Sequence, residues 1–325
     1  MRVFIEAPAR LHFGVLDLRG DLGRRFGGIG AAVPAPSLLL EARPATTLEA
    51  EGPPPEAERV LAFARRFAAH HGIAPQVRFC VHRAIPAHAG LGSGTQLALA
   101  VARAIAELHG LPTDVTALAR AVGRGRRSAI GTWTFASGGF VLEGGRRAGA
   151  DGVAPLLARL PMPPSWRCVV VVPCGQPGLA GDEEAAAFAR LPPPAARDVE
   201  RVAHLVLMQL LPALAEADLP AFGAALGEVQ RITGGWFAPV QGGVFAPGET
   251  ERVVRRLGEW GALGVGQSSW GPAAYGIVGD AAASHTLAER VRGLLGSEGG
   301  GGAVYEGGFS AAGARVWRDE APGSG

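Results

Sequence analysis

Lysine is absent from this 325-residue chain, and all 31 of its basic residues are arginine. A nucleotide-binding P-loop of the Walker type needs a lysine behind its last glycine to reach the outer phosphates, so that motif is excluded. Schiff-base chemistry through a lysine amine is excluded with it. An anion bound here must be held by backbone amides, hydroxyls and arginine forks, which meet phosphate oxygens two at a time. Cysteine is scarce too. Cys80, Cys168 and Cys174 show no metal-ligand spacing, and an odd count makes no disulfide framework. A reducing cytoplasm is the expected compartment. No apolar run reaches the length of a membrane span, and the N-terminus places Glu6 where a signal peptide needs apolar residues. The formal net charge is only +2, so neither nucleic acid nor membrane is expected as a partner.

Glycine is abundant, with 49 residues, and its placement carries the chemistry. From Ile85 to Leu97, Gly90, Gly92 and Gly94 alternate with small or hydroxylated residues, and a helical run, Gln96 to His109, follows at once. Glycine lets backbone amides approach an anion, and a helix start aims unpaired N–H groups at the same spot. Ser93 and Thr95 add hydroxyls and a candidate N-cap. The stretch reads as a phosphate cradle; the same pattern also fits a glycine-rich turn capping an ordinary helix.

Two further segments combine glycine with arginine. Asp17 to Gly30 is a polar loop in which Asp17, Arg24 and Arg25, beside Gly27, Gly28 and Gly30, are candidates for ligand contact. Arg19 and Asp21 read as a solvated hairpin tip. Gly123 to Gly139 carries Arg124, Arg126 and Arg127 ahead of Ser128, which fits an anion site or a basic surface turn. The Pro161–Pro164 cluster marks the best domain boundary, dividing the chain into 1–164 and 165–325. Trp166 to Pro173 is an apolar run typical of a buried strand. Asp182, Glu183 and Glu184 open a helix, where the macrodipole explains acids without function. Leu219 to Thr233 reads as a helix, Trp236 to Gly243 as an aromatic and glycine loop, and Gly264 to Gly276 as a second Gly/Ser cluster. Helices and strands mix in both halves, an α+β pattern.

Three Gly/Ser-rich clusters in this order, the central one reading Pro-x-x-x-Gly-Leu-Gly-Ser, resemble the GHMP superfamily of small-molecule kinases. The resemblance is closer to one non-kinase branch, the β-ribofuranosylaminobenzene 5′-phosphate synthases. It rests on Arg10 to Gly14, Asp17 to Arg24, Gly28 to Gly30, Gly90 to Leu97, Phe237 to Gly243 and Gly264 to Pro272. Two departures stand out: Ala129 where the family usually has glycine, and Glu143 where it tends to carry aspartate before a Gly-Gly pair. A GHMP kinase places its catalytic aspartate shortly after the position of Ser128, yet Ser128 to Phe140 contains no acid.

The resemblance implies a two-domain GHMP-kinase-like fold, with a left-handed βαβ unit in the first domain and a ferredoxin-like second domain. It implies that phosphoribosyl pyrophosphate condenses with 4-aminobenzoate or a related carboxylated arene, releasing carbon dioxide and pyrophosphate, in tetrahydromethanopterin biosynthesis. Carbon dioxide leaves in place of a proton, so no base is needed and electrostatic stabilisation should dominate. On this reading Arg24 holds the departing pyrophosphate, and Asp17 binds Mg²⁺ or stabilises cationic sugar. Arg10, His12, Arg25, Gly28, Gly90, Gly92, Ser93, Gly94, Thr95, Gln96, Arg126, Ser128, Gln241, Gln267, Ser268, Ser269 and Trp270 form the expected binding set, with Trp270 and Phe237 as candidate walls for the arene. Mg²⁺ is the expected cofactor, ATP is not required, and a homodimer is expected. The alternatives are an ATP-dependent GHMP kinase and a non-catalytic ligand-binding relative.

Overall fold

The computed structural model describes residues 1–147, 149–175, 177–179, 181–297 and 301–319. Its first half runs β1 (Arg2–Asp17), β2 (Arg24–Pro44), β3 (Glu49–Glu51), α1 (Pro54–His71), β4 (Val77–Arg83), α2 (Ser93–His109), α3 (Val115–Ala121), α4 (Ile130–Ser137), β5 (Phe140–Glu143), β6 (Arg146–Arg147) and β7 (Leu156–Leu160). The second half runs β8 (Arg167–Pro173), α5 (Gly181–Arg190), α6 (Ala196–Leu205), a π-helical turn (Val206–Leu210), α7 (Leu211–Ala215), α8 (Leu219–Gln241), α9 (Glu249–Glu259), β9 (Gly264–Gln267), β10 (Ala274–Val278), α10 (Ala281–Ser297), β11 (Gly302–Gly307) and β12 (Arg315–Asp319).

The first sheet has the order β12-β1-β2-β4-β3, with β5 and β6 also on β2 and β7 on β5. β3 and β4 are parallel with α1 between them, a βαβ unit. Along β1 the side chains alternate: Val3, Ile5, Ala7, Ala9, Leu11 and Phe13 are all fully buried, as period-two geometry requires of one sheet face. β1 runs for 16 residues and carries Pro8 within it. Its register shifts between Pro8 and Ala9, so the proline sits at an irregularity and the strand continues past it.

The second sheet is antiparallel, β11-β8-β10-β9. Numbered by appearance its order is 4-1-3-2, the ferredoxin-like arrangement. The apolar run of β8 follows from burial on both faces. Cys168 and Val170 join the core shared with the first sheet, while Val169 and Val171 pack with Val253, Leu257 and Val291 of α9 and α10. Val141 and Val170 lie in separate sheets, so the halves are distinct layers over one shared core. β7 and β8 lie on either side of Pro164, and the chain later returns to the first sheet, where β12 pairs with β1.

Two segments read as loops are partly helical. Ile130–Ser137 folds as α4 inside the segment taken as an arginine loop. α8 continues through the expected aromatic loop to Gln241 and ends on Gly242, whose φ of +93° suits a glycine cap. Pro239 lacks an N–H, and the helix continues past it to Gln241.

Candidate active site

A cavity of about 240 Å³ opens where the two halves meet. Arg10, His12, Gly14 and Val15 line it from β1: Arg10 and His12 alternate to one side, and the register shifts between His12 and Gly14. Gln230, Thr233, Gly234, Phe237 and Gln241 come from one face of α8, at helical spacing. Glu184 and Phe188 are one turn apart on α5, and Arg124, Arg126, Arg127 and Ser128 come from the loop before α4. Phe26 and Ser269, also on the wall, hold φ values of +71° and +58°. Left-handed backbone at non-glycine residues is costly and tends to persist where function holds it.

Two chemistries share this cavity. One is cationic. The Arg124 guanidinium lies 4.9 Å from the centre of the Phe63 ring, and its Nε is buried without a partner. Burial, then Arg59 and Arg66, pull its pKa down to about 10. A Cβ placed on Gly94 would stand 3.1 Å from Arg59 Nη2 and 3.3 Å from Arg124 Nη2, so the first turn of α2 faces both guanidiniums. Crowded, desolvated cations beside a helix N-terminus make a site that an anion stabilises. Arg10 is likewise pulled down to about 10 by burial, opposed by Glu184. Arg127 pairs with Glu184 at 2.6 Å.

The other chemistry is aromatic. Phe188 meets Phe26 at 5.7 Å, Trp270 at 5.5 Å and Phe237 at 5.8 Å between ring centres, each edge to face. Phe237 and Trp270 stand 4.7 Å apart. Such a cluster offers both ring faces and ring edges to a planar guest. Arg127 joins the two regions, its guanidinium 5.9 Å from the Phe188 ring centre. His12 is uncharged at neutral pH, because burial and then Arg10 push its pKa down to about 3.

The two glycine-rich clusters also pack against one another. A Cβ on Gly90 would sit 2.0 Å from the Ser268 carbonyl, and one on Gly271 would sit 2.1 Å from the Gly90 nitrogen. The two clusters, one from each half, therefore touch backbone to backbone. Ser268 bridges them: its hydroxyl donates to the Gly90 carbonyl at 2.7 Å and accepts from the His12 N–H at 3.0 Å. Arg10 Nη1 also donates to the Gly90 carbonyl. Gly92 is the N-cap of α2, in place of Ser93 or Thr95, and leaves room for the Arg10 side chain. Of the expected cradle, Thr95 reaches the main cavity, Ser93 lines a small recess with Arg59, and Gly94 faces the arginines. Gln96 is committed elsewhere, donating to the Gly131 carbonyl at 2.9 Å.

Of the expected binding set, Arg10, His12, Thr95, Arg126, Ser128, Gln241, Gln267, Ser269 and Trp270 line the cavity, as does Phe237. Gln241 and Gln267 are also joined at 2.8 Å, and Gln267 accepts from the Ala246 N–H at 2.7 Å, so both brace the wall. Gly28 lies against the His12 ring. Asp17, Arg24 and Arg25 lie outside the described lining. Asp17 Oδ1 accepts from the Arg19 and Gly20 amides at 2.6 and 2.8 Å, Arg24 Nη1 donates to the Gly145 carbonyl at 3.0 Å, and Arg25 Nε donates to the Leu18 carbonyl at 3.0 Å. The two family departures touch one another: the buried Glu143 carboxylate accepts from the Ala129 N–H at 3.3 Å and from the Gly145 N–H at 2.7 Å. Glu184, Phe188, Phe26 and Gln230 belong to the wall but were not singled out by sequence. Only an acid and an aromatic at helical spacing on α5 hinted at the first two, and nothing local places α5 beside Arg127.

Comparison with known proteins shows the family and the fold. Residues 58–139 match the family model for the GHMP kinases N terminal domain. The chain is 36% identical over 296 residues to a β-ribofuranosylphenol 5′-phosphate synthase of Methanothermobacter thermautotrophicus, covering 85% of this chain and 89% of that one. It is 34% identical over 286 residues to the protein of the same name from Archaeoglobus fulgidus, covering 84% and 87%. In fold it is similar to a homoserine kinase from Cytophaga hutchinsonii, with a TM-score of 0.71 over 97% of both chains at 18% identity.

Proposed function

This chain belongs to the β-ribofuranosylphenol 5′-phosphate synthase family of the GHMP superfamily, and from that premise we propose that it joins phosphoribosyl pyrophosphate to a carboxylated arene with loss of carbon dioxide and pyrophosphate. One observation carries this reading: half-buried Arg10, Arg124 and Arg127 and a cluster of four aromatic rings line the same cavity, with the Arg127 guanidinium 5.9 Å from the Phe188 ring centre. The phosphates meet the arginines and the first turn of α2, and the arene meets Phe26, Phe188, Phe237 and Trp270.

The reaction asks for charge stabilisation more than for proton transfer. Pyrophosphate gathers negative charge as it departs, and guanidiniums in a desolvated wall stabilise that charge without reorganising. His12, held neutral, offers a hydrogen bond to an uncharged substrate group without adding charge. Arg24 and Asp17 enter as supports: they fix the hairpin that carries Phe26 and Gly27 into the wall. Mg²⁺ fits as an escort of the pyrophosphate. Magnesium keeps several waters and binds mainly through substrate phosphate oxygens, which the pyrophosphate supplies. The absence of any acid from Ser128 to Phe140 weighs against the kinase alternative. Cytoplasmic placement and a homodimer complete the proposal. The free cysteines suit the first, and exposed Leu207 and Met208 offer an apolar spot for the second. Among the described residues no helix is long and apolar enough to cross a membrane.

The test is release of labelled carbon dioxide from carboxyl-labelled 4-aminobenzoate, dependent on phosphoribosyl pyrophosphate and proceeding without nucleotide. Because the relatives are named for a phenol, 4-hydroxybenzoate is assayed beside it. Stoichiometric phosphorylation of a small alcohol by ATP, with no label released from either arene, would reverse the assignment.

A further inference from the structure

We infer that Glu184 is the carboxylate that stabilises positive charge at the sugar's anomeric carbon as pyrophosphate leaves, a role that rests on the synthase reading above. Two observations bring it there. Glu184 is the single acid among the described residues lining the cavity. It also stands where the two halves of the site join: Arg127 pairs with its Oε2 at 2.6 Å and lies 5.9 Å from the ring centre of Phe188, one turn further along α5. With phosphates on the arginines and an arene on the rings, the carbons to be joined fall beside this carboxylate. Its charge also reaches Arg10 and Arg124, whose protonated forms it favours. Asp17, the acid first expected in this role, has one oxygen committed to two turn amides outside the lining.

The bond changes show why a carboxylate belongs there. The anomeric C–O bond breaks and its electron pair goes to the pyrophosphate oxygen. The ring carbon bearing the carboxylate supplies the pair that forms the new C–C bond. The pair of the C–CO₂ bond then returns to the ring as carbon dioxide leaves. Nothing is oxidised or reduced, and no proton moves. The transition state is therefore deficient in electrons at the anomeric carbon and rich in them at pyrophosphate. The arginines answer the second charge, and a part-buried carboxylate, poorly screened by water, answers the first.

The experiment compares full-length wild type, Glu184→Gln, Glu184→Asp and Glu183→Gln, the last an exposed acid on the same helix. Labelled carbon dioxide release gives kcat and KM, and calorimetry gives inorganic pyrophosphate affinity. Glu184→Gln is expected to lower kcat about a hundredfold while KM for phosphoribosyl pyrophosphate stays within about threefold. Pyrophosphate affinity holds or tightens, because Arg127 is freed, and the magnesium requirement does not move. Glu184→Asp recovers part of the rate, and Glu183→Gln matches wild type. A Glu184→Gln kcat within about twofold of wild type overturns the inference. So does a parallel fall of kcat and pyrophosphate affinity, which would make Glu184 only a support for Arg127, or a raised magnesium requirement, which would make it a metal ligand. Wild-type protein that releases no label from either arene defeats the synthase reading and this role with it.

Discussion

The hairpin turn at residues 17–25 and the loop at residues 123–128 are built from the same materials, glycine and arginine, yet their charges end in opposite states. In the hairpin the polar groups satisfy one another. Asp17 caps the turn amides, Arg19 pairs with Asp21, and Arg24 and Arg25 donate to backbone carbonyls. In the loop, Arg124 is desolvated among other cations with its Nε unpartnered, and Arg127 has one acid for a partner. Composition cannot separate these cases. The difference lies in whether a guanidinium has carbonyls and acids within reach, or only cations and a cavity.

The sharpest way to break the comparison is to remove the unsatisfied charge. Arg124→Met keeps much of the aliphatic stem and deletes the guanidinium that lies over Phe63. It is expected to lower turnover roughly 10²–10³-fold and to weaken inorganic pyrophosphate binding in step, with little loss of thermal stability. Unchanged pyrophosphate affinity by calorimetry would place the leaving group elsewhere.

Glu143 connects the two regions, since it accepts from Ala129 beside the arginine loop and from Gly145, whose carbonyl takes Arg24. Burial raises its pKa from an ordinary 4.5 to about 7, against the pull of the two amides. The folded chain therefore keeps a proton that the unfolded chain loses between about 4.5 and about 7. Stability is expected to fall as pH rises across that window, by at most about 3 kcal/mol, and to level off above it. Melting curves of wild type and Glu143→Gln from pH 4.5 to 8 check this, and the slope should be missing from the variant. An identical slope in both would assign it to another group.

Arg24→Ala comes next in size. Its guanidinium ties the hairpin to the Gly144–Gly145 turn, so its loss should lower kcat about tenfold through the misplaced wall at Phe26, with pyrophosphate affinity kept. A loss of affinity matching that of Arg124→Met would return Arg24 to the leaving group and dissolve the contrast between the regions.

Much of the fold was legible in the sequence. The apolar run of β8, the glycines before α2 and the ferredoxin-like order implied by the resemblance all appear where expected. The site was legible in outline only. Arg10, His12, Thr95, Arg126, Gln267 and Trp270 line one cavity, because β1, α2, the loop before α4 and the β9–β10 turn converge. Glu184 and Phe188 were invisible because their helix looks ordinary. Only tertiary packing sets it against Arg127, and the dipole accounts equally well for its acids. At Gly90 and Gly92 glycine serves close approach by backbone, as it can by phosphate. Here the approaching groups are Ser268, Gly271 and the Arg10 side chain.

The smallest expected effect is at the hairpin tip. Asp21 is exposed and pairs with Arg19, which also donates to the Pro194 carbonyl at 3.0 Å. Exposed pairs between flexible side chains contribute little, so Asp21→Asn should change stability by less than about 0.5 kcal/mol. The tip adds no group to the described lining of the cavity, so kcat/KM should stay within about twofold of wild type. That near-silence is informative, because the contact with Pro194 places the tip against the segment that follows α5, the helix that carries Glu184 and Phe188. If the tip moved with substrate, unpairing Arg19 would alter how it rests on that segment and would change turnover more than stability. A tenfold change in kcat at unchanged melting temperature would therefore mean that the self-satisfied turn is a moving part of the site, and that the division between the two arginine regions fails during turnover.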